Sequence, residues 1–166
     1  MKKSDSLKDR IFSLEELKQE VIRVRLKSKT IAFTNGVFDI LHEGHIAVLA
    51  EAASFADFLI VGVNSDASVK KLKGENRPVN NQNSRALIIA SLIMVDAVVI
   101  FNEETPIEII RLILPDVLVK GGDYTLETIV GAKEVLENGG KVEIISLREG
   151  FSTTNIIKKI SNSQRN

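Results

Sequence analysis

The 166-residue chain has no cysteine, no tryptophan, a single tyrosine and only two histidines. Without cysteine there are no disulfides, no thiolate nucleophile and no cysteine-bound metal centre. No charge of either sign predominates: 22 Lys and Arg balance 22 Asp and Glu, for a formal net charge of zero. Chains that coat nucleic acid carry a basic excess, so no nucleic-acid partner is expected, although a local phosphate site is compatible with neutrality. No hydrophobic run is long. The longest apolar stretch, residues 86–95, contains Ser91 and falls well short of the roughly 20 residues a membrane-spanning helix needs. Residues 1–10 are polar and mixed in charge, unlike a signal peptide. The expectation is a cytoplasmic protein with no membrane partner. What remains, 44% hydrophobic and 27% charged, is the composition of one globular domain.

Residues 1–12 read as a flexible arm. Ser13 then precedes a helix over 14–26, with Leu14, Leu17, Val21 and Val24 on one face. Residues 1–28 are thus expected as an N-terminal arm and helix, and 29–166 as the main domain. In the main domain, short apolar runs at 30–34, 58–63, 97–101, 117–119 and 142–145 read as strands. Helical stretches at 43–55, 83–94, 129–137 and 154–160 alternate with them. Thr105-Pro106 opens a further helix, with Thr105 as cap, Pro106 at the first position and Glu108 completing a capping box. This alternation predicts an α/β fold: a doubly wound, five-stranded parallel sheet covered on both faces. The apolar face of the 14–26 helix has no assigned place in that sheet, so a homodimer formed through it is expected. Open sheets of this kind bind ligands beyond the carboxyl ends of their strands. The loops after Thr34, Val63, Phe101, Lys120 and Leu147 are therefore where chemistry is to be sought.

The first of these loops holds both histidines, His42 and His45. At i,i+3 in the first turn of a helix they share a face. They also sit at a helix start, where free N–H groups and the dipole favour an anion. Gly44 between them, and Gly36 earlier, leave the backbone open to a phosphate oxygen. A hairpin at Asn35-Gly36 would have to carry Asp39 and both histidines into a strand. The zinc motif His-Glu-x-x-His needs histidines four apart and a third ligand, and neither is present. Two surface histidines are the plain alternative, and the position at the first strand end favours phosphate binding over it. Gly-x-Gly-x-x-Gly and Gly-Lys-Ser/Thr loops are absent, which excludes the common dehydrogenase and P-loop sites.

The later loops add candidates. Lys70, Lys71, Lys73 and Arg77 form a basic run whose default role is a solvated face, with Lys73 the favoured phosphate contact. Arg85, early in its helix, is either a surface ion pair or a bidentate phosphate clamp. Lys120-Gly-Gly-Asp-Tyr124 is either a tight turn or a backbone shelf for a flat ligand, with Asp123 and Tyr124 beside it. Ser152, Thr153 and Thr154 precede the last helix, and three hydroxyls exceed what one N-cap requires.

Together these loops resemble the nucleotidyltransferase superfamily that carries a His-x-Gly-His signature, the cytidylyltransferase-like group. Residues 36–45, Gly-Val-Phe-Asp-Ile-Leu-His-Glu-Gly-His, match its first motif, and residues 151–154, Phe-Ser-Thr-Thr, are similar to its second. Over residues 30–160 the chain is most similar to the adenylyltransferase half of bacterial ADP-heptose synthases. Val63-Asn-Ser-Asp66, Leu72-Lys-Gly74, Arg77-Pro-Val-Asn80 and residues 118–124 carry that likeness. The resemblance implies a Rossmann-like sheet of nucleotidyltransferase type over 29–166. It also implies that a sugar 1-phosphate attacks the α-phosphorus of ATP, releasing pyrophosphate and giving ADP-heptose for lipopolysaccharide.

By the same resemblance His42 and His45 are catalytic, and Lys73, the favoured cation of the basic run, is expected to act with them. Thr34, Gly36, Phe38 and Gly44 shape the nucleotide pocket, Arg85 clamps phosphate, and Ser152, Thr153 and Thr154 hold the outer phosphates. Lys120, Gly121 and Asp123 frame base and ribose. Mg²⁺ rides on the ATP phosphates with Asp39 as an auxiliary ligand. A separate heptose kinase is expected to supply the acceptor. Glu43 inside the signature and Phe151 at the head of the second motif depart from the family pattern, and Ile157 stands where cytidylyltransferases carry a basic residue. The shared motifs leave ATP and CTP open, and with them a cytidylyltransferase acting on glycerol or alditol phosphate. A nucleotide sensor without chemistry is the reading outside enzymes.

Overall fold

A computed structural model describes residues 4–146 together with Thr153, Ile156, Ile157, Lys159 and Ile160. Six parallel strands form one sheet: β1 (Ile11–Phe12), β2 (Ile31–Gly36), β3 (Phe58–Asn64), β4 (Ala97–Phe101), β5 (Val117–Gly121) and β6 (Lys141–Ile145). Their spatial order is β1-β4-β3-β2-β5-β6. Six helices connect them: α1 (Leu14–Leu26), α2 (Glu43–Ser54), α3 (Asp66–Lys73), α4 (Gln82–Ala90), α5 (Ile107–Ile113) and α6 (Ala132–Glu137). Among the described residues no helix is long and apolar enough to cross a membrane.

The strands are apolar on both faces because both are covered. Phe33, Ile60, Val99 and Leu118 point to one side, where Leu17 and Val21 of α1, Ile110 of α5 and Val135 of α6 meet them. Ala32, Val61, Val98 and Val119 point to the other, against Leu49 of α2 and Ile89 of α4. The period of two along each strand thus sorts the core into two layers.

The N-terminal segment departs from expectation. Residues 1–12 are not a loose arm over their described part: Ser4–Arg10 winds into a 3₁₀ helix, and Ile11–Phe12 pairs in parallel with Val98 and Val99. The sheet therefore has six strands rather than five. Arg10 fixes the junction, its Nη1 donating to the carbonyls of Val95 at 3.0 Å and Ala90 at 3.4 Å. A two-residue strand is too short to show periodicity, which is why the sequence does not announce it. α1 follows behind a reciprocal capping box, in which the Glu16 amide donates to Ser13 Oγ and the Ser13 amide to Glu16 Oε2. The apolar face of α1, from which a homodimer was expected, is spent on the molecule's own core: Leu17, Val21 and Val24 are buried there.

Other helix boundaries differ too: the helix expected over 83–94 ends at Ala90, and that expected over 129–137 begins at Ala132. α3 occupies the start of what reads as a charged loop, capped by Ser65, whose Oγ accepts from the Ser68 amide. At α5 Pro106 takes the cap position with no side-chain cap bond, so the Thr105–Glu108 capping box does not form.

The chain crosses from β2 to β3 and β4 on one side, then returns to place β5 on the other side of β2. The direction of winding reverses between β2 and β5, which puts a crevice at their carboxyl ends.

Because α1 shares the central core, Leu17→Ala should lower global stability by about 2–5 kcal/mol. Urea unfolding should move the single transition to lower midpoint with unchanged slope. An unmoved midpoint would mean that α1 is detached from the cooperative unit.

Candidate active site

A cavity of about 630 Å³ opens in the crevice between the ends of β2 and β5, within the usual range for a small-ligand site. It straddles the rim of the sheet. One wall is the segment from Thr34 to His45 with Val48 of α2; the other holds Lys120, Gly121, Tyr124, Thr128 and Val130. Residues 104–106 and Thr153 also border it.

His42 is the N-cap residue of α2 and makes no side-chain cap bond. Its ring stacks on that of His45, with centroids 3.8 Å apart and planes 20° from parallel. The i,i+3 spacing thus brings both imidazoles together as expected. Phe38 supports the pair from the edge, its ring centroid 5.4 Å from that of His45. Phe38 has a left-handed backbone, φ 49°, a conformation that costs a non-glycine residue roughly 1–2 kcal/mol. Gly36 lies under that ring: a Cβ there would meet Phe38 Cε2 at 3.1 Å.

Electrostatically the pair is neutral. Burial lowers the pKa of His42. Burial, reinforced by the neighbouring His42, pushes His45 down to about 4. Nδ1 of each ring is buried and has no hydrogen-bond partner among the described residues. Two unpaired buried polar atoms on rings that border a cavity are an exception to the usual pairing of buried polar groups.

Lys120 stands on the opposite side of the sheet. Along β5, Leu118 faces the α1 side and Val119 the α2 side, so Lys120 projects toward the first and Gly121 toward the second. Its Nζ donates to Asn35 Oδ1 at 2.6 Å and lies 5.8 Å from the Tyr124 ring centroid. Burial pushes its pKa down to about 8. Gly121 is required by close approach, since a Cβ would lie 2.7 Å from Val48 Cγ2.

The remaining candidates divide. Thr34, Gly36, Phe38, Gly44, Lys73, Lys120, Gly121 and Thr153 all line the cavity. Ser152 and Thr154 lie outside the described residues; of the expected 154–160 helix, Ile156, Ile157, Lys159 and Ile160 are described and are helical. Asp123 is exposed and is not part of the lining. Glu43 is exposed and likewise stays out of the wall.

Two readings need correction. Arg85 is fully buried and off the lining. Nε donates to the Asn80 carbonyl at 2.9 Å, Nη1 to the Val37 carbonyl at 2.6 Å and Nη2 to Asp66 Oδ1 at 2.8 Å. All three nitrogens are engaged by protein, so it braces the histidine loop rather than clamping phosphate.

Asp39 is 1% exposed, and both its oxygens are taken. It accepts from the Val79 amide at 2.8 and 2.9 Å, from the Asn80 amide at 2.8 Å and from Arg77 Nε at 2.8 Å. Burial alone would raise its pKa. The Asn80 and Val79 amides and the Arg77 guanidinium outweigh that and hold it below the ordinary carboxylate value. Although Asp39 borders the cavity, both its oxygens are committed to protein donors in this structure rather than free for a metal ion. No group of three or more His, Asp or Glu able to hold a metal ion occurs among the described residues.

Sequence reasoning overlooked Asn35, Arg77 and Asn80 as working parts. Asn80 is a hub: its amide and side-chain Nδ2 donate to Asp39, and its carbonyl accepts from Arg85. The polar Arg77-Pro-Val-Asn80 stretch between two helices was the available signal.

Comparison with known proteins agrees with this geometry. The family model described as cytidylyltransferase-like matches residues 33–161. The chain is 55% identical over 150 residues to the bifunctional protein HldE of Klebsiella pneumoniae subsp. pneumoniae, covering 90% of this chain and 31% of that protein. It is 52% identical over 155 residues to the bifunctional protein HldE of Escherichia coli O157:H7, covering 93% and 32%. The chain thus spans about a third of the length of these relatives. The crystal structure of the lipopolysaccharide core biosynthesis protein from Thermoplasma volcanium GSS1 superposes with a TM-score of 0.58 at 29% identity, over 72% of this chain and 97% of that one. Pantoate-beta-alanine ligase from Francisella tularensis, at 16% identity and a TM-score of 0.61 over 92% and 76%, shares the fold.

Anion binding should report the charge of Lys120. A lysine depressed to about 8 is charged below that pH and neutral above it. Pyrophosphate affinity, measured by calorimetry, should therefore be full near pH 7 and fall as pH rises through 8 and beyond. Lys120→Arg, which stays charged, should flatten the profile. An identical decline in that variant would remove Lys120 from anion binding.

Proposed function

The chain belongs to the cytidylyltransferase-like family, and on that premise we propose that it transfers AMP from ATP to D-glycero-β-D-manno-heptose 1-phosphate. Pyrophosphate leaves and ADP-heptose for the lipopolysaccharide core forms. The observation that carries this reading is the stacked, neutral histidine pair at the start of α2, both rings bordering the cavity and each with a buried Nδ1 unpartnered among the described residues. Identity of 52–55% to the two HldE proteins over nine-tenths of the chain supports the choice of nucleotide and acceptor within the family.

The chemistry follows from the charges. An oxygen of the acceptor phosphate attacks the α-phosphorus, and the bond to the oxygen bridging the α- and β-phosphates breaks. The acceptor brings its own nucleophile, so the protein's task is alignment and stabilisation of charge. Neutral imidazoles enter the site without repelling each other. A polyphosphate beside them supplies the negative charge that favours N–H donation and proton uptake by the pair. The amide groups at the start of α2 add their dipoles in the same direction. Lys120 supplies positive charge from the opposite side of the sheet rim, and Lys73 borders the same cavity. A Mg²⁺ ion bound to the triphosphate would supply neutralisation of part of its charge, while Asp39 stays engaged by Arg77, Val79 and Asn80. The acceptor arrives already phosphorylated, so a sugar kinase must act before this step.

Turnover of ATP and CTP against a panel of sugar and alditol phosphates, followed by pyrophosphate release, tests the proposal. ATP with the heptose 1-phosphate should be the productive pair. Turnover with CTP alone, or ligand binding without pyrophosphate release from any pair, would overturn it. His42→Ala should keep the fold and lose about 10²- to 10³-fold in turnover, the usual loss for one oxyanion donor.

A further inference from the structure

Arg77 borders the cavity with one edge of its guanidinium fixed and the other open. Nε donates to the fully buried Asp39 carboxylate at 2.8 Å, while the side chain keeps 18% of its surface exposed. Among the described residues its two terminal nitrogens donate to no protein acceptor. Arg85, the other arginine on this loop system, has all three nitrogens engaged and no exposure.

We propose that Arg77, anchored on Asp39, is a phosphoryl-binding residue of this site whose terminal nitrogens grip a phosphate group of a substrate. The proposal rests on the nucleotidyltransferase reading above.

Three features carry it. First, the anchor removes much of the side chain's rotamer freedom before any ligand arrives, so less entropy is lost on binding. What remains presented is a planar fork matched to two phosphate oxygens. Second, the Asp39 charge does not cancel the fork. The carboxylate lies behind the guanidinium, and the Val79 and Asn80 amides share its negative charge. Third, Asp39 stands three residues before His42 on the same braced loop, so one rigid segment sets the guanidinium and the imidazoles in register.

Calorimetry on the intact protein tests this without turnover. Wild type, Arg77→Gln and Arg77→Lys are titrated with α,β-methylene ATP and, separately, with the heptose 1-phosphate. Arg77→Gln should weaken at least one ligand about 10- to 100-fold, the range for charge-assisted hydrogen bonds. Arg77→Lys, which restores charge but not the fork, should recover that loss only in part. Loss confined to the ATP analogue assigns the fork to the nucleotide, and loss confined to the sugar phosphate assigns it to the acceptor. Less than threefold change in both variants, for every ligand that wild type binds, overturns the proposal and leaves the functional reading standing. Failure of wild type to bind either ligand overturns both. If the variants do not fold, ¹⁵N spectra of the guanidinium groups in unaltered protein decide. Arg77 signals that shift on titration support the proposal, and Arg77 signals that stay fixed while the histidines respond overturn it.

Discussion

The site depends on how a glycine-containing loop is kept from relaxing. Residues 36–42 leave β2, pass through a left-handed Phe38 and deliver His42 to the start of α2. Nothing in the loop's own backbone would hold that path. It is held by two buried charges from either side: Asp39 seizes the 77–80 segment, and Arg85 reaches from α4 to the Val37 and Asn80 carbonyls. Both converge on Asn80. Removing one member of such a network leaves the other charge buried without its partner, which costs far more than the net worth of the bond. The strain at Phe38 and the stacking of two imidazoles persist because this surrounding lattice over-determines them.

The same economy explains why the cavity is polar yet well built. Parallel strands bring Asn35 and Lys120 side by side at the carboxyl rim, each continuing the face set by Phe33 and Leu118 below it. The histidines rise from the other face, over the helix that Val48 packs against Gly121. A ligand lying across the rim meets neutral hydrogen-bonding rings on one side and a cation on the other. Placing like charges apart and letting only one titratable cation approach from β5 lets the site accept a polyanion without first repelling itself.

Much of this was legible in the sequence, for identifiable reasons. β2 to β5 are largely buried on both faces, so they stand out as apolar runs, β6 shows through Val142, Ile144 and Ile145 at the sheet edge, and the histidine spacing translates directly into a shared helix face. Gly36 sits where the Phe38 ring packs against the backbone. What stayed hidden depended on long-range partners. That Arg85 points inward is decided by Val37 and Asp66, distant in the chain, and no local pattern shows it. Asp39 looked available because Arg77, Val79 and Asn80 are some forty residues away. α3 was masked by its lysines, which mimic a solvated loop even though Ser68 and Val69 are buried beneath them. β1 is two residues long and gains its identity only from the strand it joins.

That last strand has a bearing on biogenesis. Ile11 and Phe12 leave the ribosome before any partner exists, and the residues they pair with, Val98 and Val99, follow only after β2 and β3 and the helices between them. Closing a contact across so long a loop is entropically slow. Until that contact closes, the flank of β4 is an unpaired ribbon edge, open to intermolecular pairing; Ile11–Phe12 seals it and Arg10 locks the seam.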